Sequence, residues 1–169
     1  IVATNKLSIY EKIKTLRNLG SVKKNDHKLE GLNSRLDTIQ ASVLLEKINY
    51  LAEHNDYRRK ISNFYDENLS FIDEVKLTMS NPGSSRHLYV IRVKKRKELV
   101  KYLLKKKIPI QFHYPYPLNK AGALRKKIKK VKLVNSEKWA RECLSLPLYP
   151  YMPLNEAKRV VSLIKKFYD

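Results

Sequence analysis

Glu74-Val75-Lys76-Leu77-Thr78-Met79, then Arg86-His87-Leu88-Tyr89-Val90-Ile91-Arg92-Val93 after a turn, mark where this chain changes its periodicity. Both stretches read as strands, with Asn81-Pro82-Gly83 as the turn between them. Upstream the period is helical. Ile9, Ile13 and Leu16 repeat over 6–19, with Asn5 as the expected cap and Gly20 as the stop. Asp37-Thr38-Ile39-Gln40 reads as a capping box opening a helix with Ile39, Val43, Leu44, Ile48 and Leu51 on one face. Helical character then runs to about Leu69, with a bend expected near His54-Asn55. Downstream, 96–107 reads as a basic amphipathic helix, Ile108–Phe112 as a third and short strand, Ser136–Leu144 as a short helix and Asn155–Phe167 as the last helix. Long helices followed by a small three-stranded layer with helices over it make an α+β fold. The sheet is expected to hold Glu74–Met79, Arg86–Val93 and Ile108–Phe112, while the helix from Asp37 belongs to a different layer with its apolar face exposed.

Composition narrows the function classes. The chain has 169 residues, enough for a sizeable core, and no apolar run approaches membrane-spanning length. The opening Ile1-Val2-Ala3-Thr4-Asn5-Lys6 lacks the pattern of a signal peptide and reads as a strand cut from something larger. A cytoplasmic setting is expected. A single cysteine, Cys143, excludes an internal disulfide and a cysteine-rich metal site; Trp139, Ala140 and Leu144 around it suggest a buried apolar role. His27 and His54 have no partner at metal-ligand spacing, so no metal is expected. No P-loop or glycine fingerprint is present. The 36 Lys+Arg against 16 Asp+Glu give +20. That charge would suit an anionic partner, but the runs Lys94-Lys95-Arg96-Lys97, Lys105-Lys106-Lys107, Arg125-Lys126-Lys127 and Lys129-Lys130 fall at element ends or on helix faces. Neither a membrane nor a nucleic acid is expected as a partner.

Two irregular segments carry ligand-capable side chains: Gly31-Leu32-Asn33-Ser34-Arg35 running into Gln40-Ala41, and His113-Tyr114-Pro115-Tyr116-Pro117-Leu118. A side-chain amide can donate to a phosphate oxygen, and a guanidinium offers a planar charged fork. With Arg86-His87-Leu88-Tyr89 and Leu144-Ser145-Leu146-Pro147-Leu148-Tyr149-Pro150, their order and separation resemble the C-terminal part of the pyridoxal-phosphate-dependent sugar aminotransferases, the DegT/DnrJ/StrS family.

The resemblance covers nearly the whole chain and implies the C-terminal segment of an aspartate-aminotransferase-like (fold type I) enzyme. On that reading, 1–69 would end the large domain, with a dimer-contact loop at 20–36, and 70–169 would form the small α+β domain. Asn33 would contact the phosphate of pyridoxal 5'-phosphate bound in the neighbouring subunit of a homodimer, with Arg35 beside cofactor or substrate. His113 and Tyr114 would line the sugar-nucleotide pocket. Asn119 stands where the family usually has a second histidine, which bears on the sugar accepted. Leu144–Pro150 would be structural packing. The lysine that carries the cofactor lies, in the family, upstream of the segment similar to Ile1–Asn5. No catalytic residue is therefore expected in this chain, which alone should be inactive. The complete enzyme would move an amino group from an amino acid, with glutamate the expected donor, to a keto sugar on a nucleoside diphosphate. Such products feed surface polysaccharides or glycosylated metabolites. The alternative is a non-catalytic basic module of the same descent that binds an anionic partner.

Overall fold

A computed structural model describes residues 1–79, 81, 83–124 and 132–169. It contains two compact units, Ile1–Asn49 and Tyr50–Asp169.

In the first unit, α1 spans Leu7–Leu16 and α2 spans Thr38–Ile48. Between them a short antiparallel hairpin pairs β1 (Ser21–Lys23) with β2 (Asp26–His27) inside what the sequence presents as irregular chain. α1 is shorter than the 6–19 expected, and its N-cap is Lys6, not Asn5; the Lys6 N–H bonds to Thr4 Oγ1 at 3.1 Å. The capping box at Asp37 is also absent. Asp37 occupies the N-cap position, but its carboxylate turns to the Arg35 guanidinium at 3.3 Å. No hydrophobic residue of this unit is buried; Ile39, Val43 and Ile48 along α2 are 81%, 54% and 61% exposed.

The second unit holds the core. α3 (Leu51–Leu69) follows a break at Asn49-Tyr50, so the helical interruption falls at the start of α3, not at His54-Asn55. The sheet has the order β3 (Val75–Leu77), β4 (Tyr89–Val93), β5 (Cys143–Leu146), all antiparallel. Register places Val75 opposite Val93, Leu77 opposite Ile91, Tyr89 opposite Leu146 and Ile91 opposite Leu144. Because strand side chains alternate between faces, these residues form one apolar face. Tyr89, Ile91, Val93, Leu144 and Leu146 belong to the same core as Tyr65 and Leu69 of α3, Leu99 and Leu103 of α4 (Arg96–Lys105) and Val160, Val161 and Ile164 of α6 (Leu154–Tyr168). α4 and α6 are antiparallel neighbours, tied at one end by Tyr168 Oη to the Lys94 carbonyl and at the other by Arg159 to the Lys106 carbonyl, both 2.6 Å.

The third strand corrects the sequence reading. Within Ile108–Phe112, Gln111 forms an isolated bridge with Ser145, and the stretch is not a strand; Cys143–Leu146 takes the third place. α5 accordingly runs over Val134–Glu142 and stops before Cys143-Leu144. Pro82 of the expected turn and the basic runs Arg125-Lys126-Lys127 and Lys129-Lys130 lie outside the described residues.

Candidate functional site

The Gly31–Arg35 segment is fixed by main-chain bonds to the end of α1. The Leu32 N–H donates to the Leu16 carbonyl at 2.8 Å, the Leu19 N–H to the Leu32 carbonyl at 3.1 Å, and the Ser34 N–H to the Arg17 carbonyl at 2.9 Å. Arg17 Nε donates to the Ser34 carbonyl at 3.0 Å, and Asn18 and Asn33 form an antiparallel bridge. This crossing requires two glycines. Gly20 has φ +71°, in the left-handed region, and a Cβ there would stand 1.6 Å from the Leu29 carbonyl oxygen. A Cβ on Gly31 would stand 2.1 Å from the Gly20 nitrogen. The backbone of Asn33 is thus anchored while its side chain, like that of Arg35, is exposed. Among the described residues Arg35 pairs with Asp37, an exposed interaction of little net strength that a ligand anion could replace.

The His113-Tyr114 segment, joined by a cis peptide bond, lies beside the far edge of β5. Gln111 and Ser145 exchange main-chain bonds at 2.8 and 3.3 Å. His113 Nδ1 lies 2.7 Å from Ser145 Oγ, Trp139 Nε1 donates to the His113 carbonyl at 3.0 Å, and the Cys143 thiol reaches the Tyr114 carbonyl at 3.5 Å. The Arg96 guanidinium sits 4.9 Å from the Phe112 ring centre and donates to the carbonyls of Ala140 and Cys143 at 2.8 and 3.1 Å. It thereby ties the end of α5 to the approach to His113. Burial pushes the Cys143 thiol pKa up, with Arg96 opposing. Tyr114 itself is 68% exposed. A cleft of about 210 Å³ opens between Pro109–Gln111 and Ser145–Tyr149.

Asn119 is half-buried and hydrogen-bonds to the Glu137 carboxylate, which Lys120 also meets at 2.9 Å. The Lys120 hydrogen bond holds that carboxyl below its ordinary range, burial opposes, and Asn119 adds to the lowering. Among the described residues no three His, Cys, Asp or Glu side chains gather as a metal site. Asn33 and Arg35 therefore share one loop of the first unit, and His113, Tyr114 and Asn119 share one region of the second. Sequence reasoning missed Ser145, Trp139 and Arg96 as the supports of His113. The available signal was a lone hydroxyl in the apolar run Leu144-Ser145-Leu146.

Comparison with known proteins agrees with this architecture. The sequence profile of the DegT/DnrJ/EryC1/StrS aminotransferase family matches residues 1–165. The dTDP-3-amino-3,6-dideoxy-alpha-D-galactopyranose transaminase of Aneurinibacillus thermoaerophilus is 35% identical over 98% of this chain and 46% of its own length. The dTDP-3-amino-3,4,6-trideoxy-alpha-D-glucose transaminase of Streptomyces venezuelae is 31% identical over 99% of this chain and 45% of its own length. Among solved structures, S. venezuelae DesV in complex with a ketimine intermediate superposes with a TM-score of 0.88 at 30% identity, over 99% of this chain and 46% of DesV. The chain thus spans about half the length of the relatives it matches, and its α+β fold is that of part of a fold type I pyridoxal-phosphate aminotransferase.

Proposed function

This chain belongs to the DegT/DnrJ/EryC1/StrS aminotransferase family, and we propose that it supplies cofactor-phosphate and sugar contacts to a nucleotide-sugar aminotransferase. The observation that carries the proposal is the anchored Gly31–Arg35 loop. Two glycines and four hydrogen bonds fix a backbone that presents the exposed side chains of Asn33, Ser34 and Arg35, the last paired with Asp37. That is a suitable donor set for an anion.

The family uses pyridoxal 5'-phosphate, and the residues here fit its phosphate better than its reactive end. An exposed amide and a guanidinium can donate to phosphate oxygens. A lysine that carries the cofactor must be desolvated and held in place, whereas every lysine among the described residues is exposed. On this reading, as the resemblance implies, the carrier lysine belongs elsewhere in the enzyme and this chain alone is inactive. When bound, the cofactor supplies an electron sink for moving the amino group. The chain's own residues bind and orient. Asn33 donates to the phosphate across a homodimer interface that includes 20–36, and Arg35 holds an anionic group of substrate or cofactor. His113 and Tyr114 hydrogen-bond the sugar, and Asn119 sets the shape of the pocket wall through Glu137. The acceptor is a keto sugar on a nucleoside diphosphate, and the donor is glutamate. In this assignment 1–69 closes the large domain and 70–169 is the small one, with α3 packing Tyr65 and Leu69 into the core of the latter.

The test is cofactor titration of the complete dimeric enzyme, reconstituted with its lysine-bearing part, as wild type and as Asn33→Ala. A hydrogen bond to a charged group is worth about 1.5–3 kcal/mol, so Asn33→Ala should weaken cofactor retention roughly ten- to a hundred-fold with the fold intact. Arg35→Ala should lower turnover more than retention. Equal cofactor affinities in wild type and Asn33→Ala would withdraw the assignment.

A further inference from the structure

Ser145 has a role that packing does not explain. It lies on β5 opposite Val90, on the sheet face away from Tyr89, Ile91, Leu144 and Leu146, and is 4% exposed. Its main-chain N–H and carbonyl are used by Gln111. Its hydroxyl proton therefore needs an acceptor inside the protein, because a buried unpaired hydroxyl is costly. Among the described residues the partner of Ser145 Oγ is His113 Nδ1, at 2.7 Å.

We infer that Ser145 is a positioning residue that donates its hydroxyl proton to His113 Nδ1, holding the neutral imidazole with its proton on Nε2, so that His113 meets its ligand as a donor to an oxygen acceptor. The assignment follows from proton accounting. A neutral imidazole carries one N–H and one lone pair, and the nitrogen that accepts from Ser145 must be the one without the proton. The reverse arrangement, Nδ1–H donating to Oγ, would leave the serine proton without a protein acceptor among the described residues, on a residue only 4% exposed. Trp139 holds the His113 carbonyl at 3.0 Å and Cys143 the next carbonyl at 3.5 Å, which fixes the backbone that presents the ring to Ser145. Nε2 is the nitrogen on the opposite side of the ring from Ser145. Resting on the reading that His113 lines the sugar-nucleotide pocket, the ligand atom it selects is an acceptor: a carbonyl, hydroxyl or diphosphate oxygen. An amine or amide N–H at that place would meet a second donor and be rejected.

The test needs no activity. In the full chain labelled with ¹⁵N-histidine, long-range ¹H–¹⁵N correlation above the ring's titration range shows which nitrogen of each imidazole is protonated. His113 is assigned among the four histidines by its loss in His113→Asn. The expected result is protonation of Nε2, kept in Ser145→Thr, which retains the hydroxyl, and replaced by a mixture of tautomers in Ser145→Ala. An Nδ1-protonated His113 in the wild type overturns the inference, as does an unchanged tautomer in Ser145→Ala. Addition of UDP-N-acetylglucosamine should then shift the His113 Nε2 resonance. The expected tautomer with an Nε2 signal unmoved at saturating probe would overturn the ligand class while leaving the positioning role intact, and cofactor titration of Asn33→Ala tests the family role separately.

Discussion

Tyr89 shows how a single side chain ties the core to the chemistry of the surface. Its hydroxyl donates to Asp66 at 2.7 Å, and Arg86 meets the other oxygen of the same carboxylate at 2.7 Å. Burial, and then the hydrogen bond to Asp66, push the Tyr89 phenol well above its ordinary value of 10.0. Tyr65, whose hydroxyl donates to the Pro147 carbonyl at 3.0 Å, is raised in the same direction, chiefly by burial. Below about pH 10 folded and unfolded chains both keep these protons, so the two groups make no pH-dependent contribution. Above it the unfolded chain releases them while the folded one does not, and stability falls as pH rises. Urea unfolding followed from pH 9 to 11 should show that fall. Tyr89→Phe should begin less stable, having lost the bond to Asp66, but decline less steeply across the same range. Parallel slopes in the two proteins would contradict the assignment. None of this was legible from Arg86-His87-Leu88-Tyr89, which marks a strand but says nothing about a carboxylate twenty residues upstream on α3. The same holds for Ser145 and His113, whose partnership spans 32 positions. Asn33 and Arg35, by contrast, stand out locally, because a glycine followed by polar residues announces a loop before any coordinates do.

At the level of elements, the readable parts are those whose burial follows one period. α4 is given by Leu99 and Leu103, and α6 by Ala157, Val160, Val161 and Ile164, all buried. β4 alternates as expected, with Tyr89, Ile91 and Val93 buried and Val90 and Arg92 less so. β5 fails that test because all four of its residues are buried. A short apolar run buried on both faces has no alternation, and directly behind a helix it reads as more helix. Ile108–Phe112 misleads for the opposite reason: its apolar residues serve the core and a loop without pairing along their length. The same physics makes a quantitative prediction about β5. Leu144 is fully buried opposite Ile91, and Leu144→Ala should cost about 2–5 kcal/mol in denaturant unfolding of the second unit. A cost below about 1 kcal/mol, the level of a surface change, would mean that the strand is not central. The capping box fails at its first residue: Asp37 stands at the N-cap position, but its carboxylate lies 3.3 Å from the Arg35 guanidinium and makes no bond to the helix end.

Across the whole molecule, burial is divided unevenly. Every buried hydrophobic side chain lies between Ile61 and Ile164, whereas the first unit exposes Leu7, Leu32, Leu36, Ile39 and Leu45. Exposed apolar surface of this kind marks an interaction face more often than a finished one. It accords with a chain spanning about half the length of its relatives. The proposed function divides the labour: residues of this chain would hold the cofactor phosphate and the sugar, and a lysine outside 1–169 would carry the cofactor. Reduction of the cofactor-loaded protein with borohydride, followed by peptide mapping, tests that division most directly, since it locks the cofactor onto the lysine that bears it. The account predicts no stoichiometric pyridoxyl label on any lysine of residues 1–169. A single lysine of this chain labelled in full would contradict it.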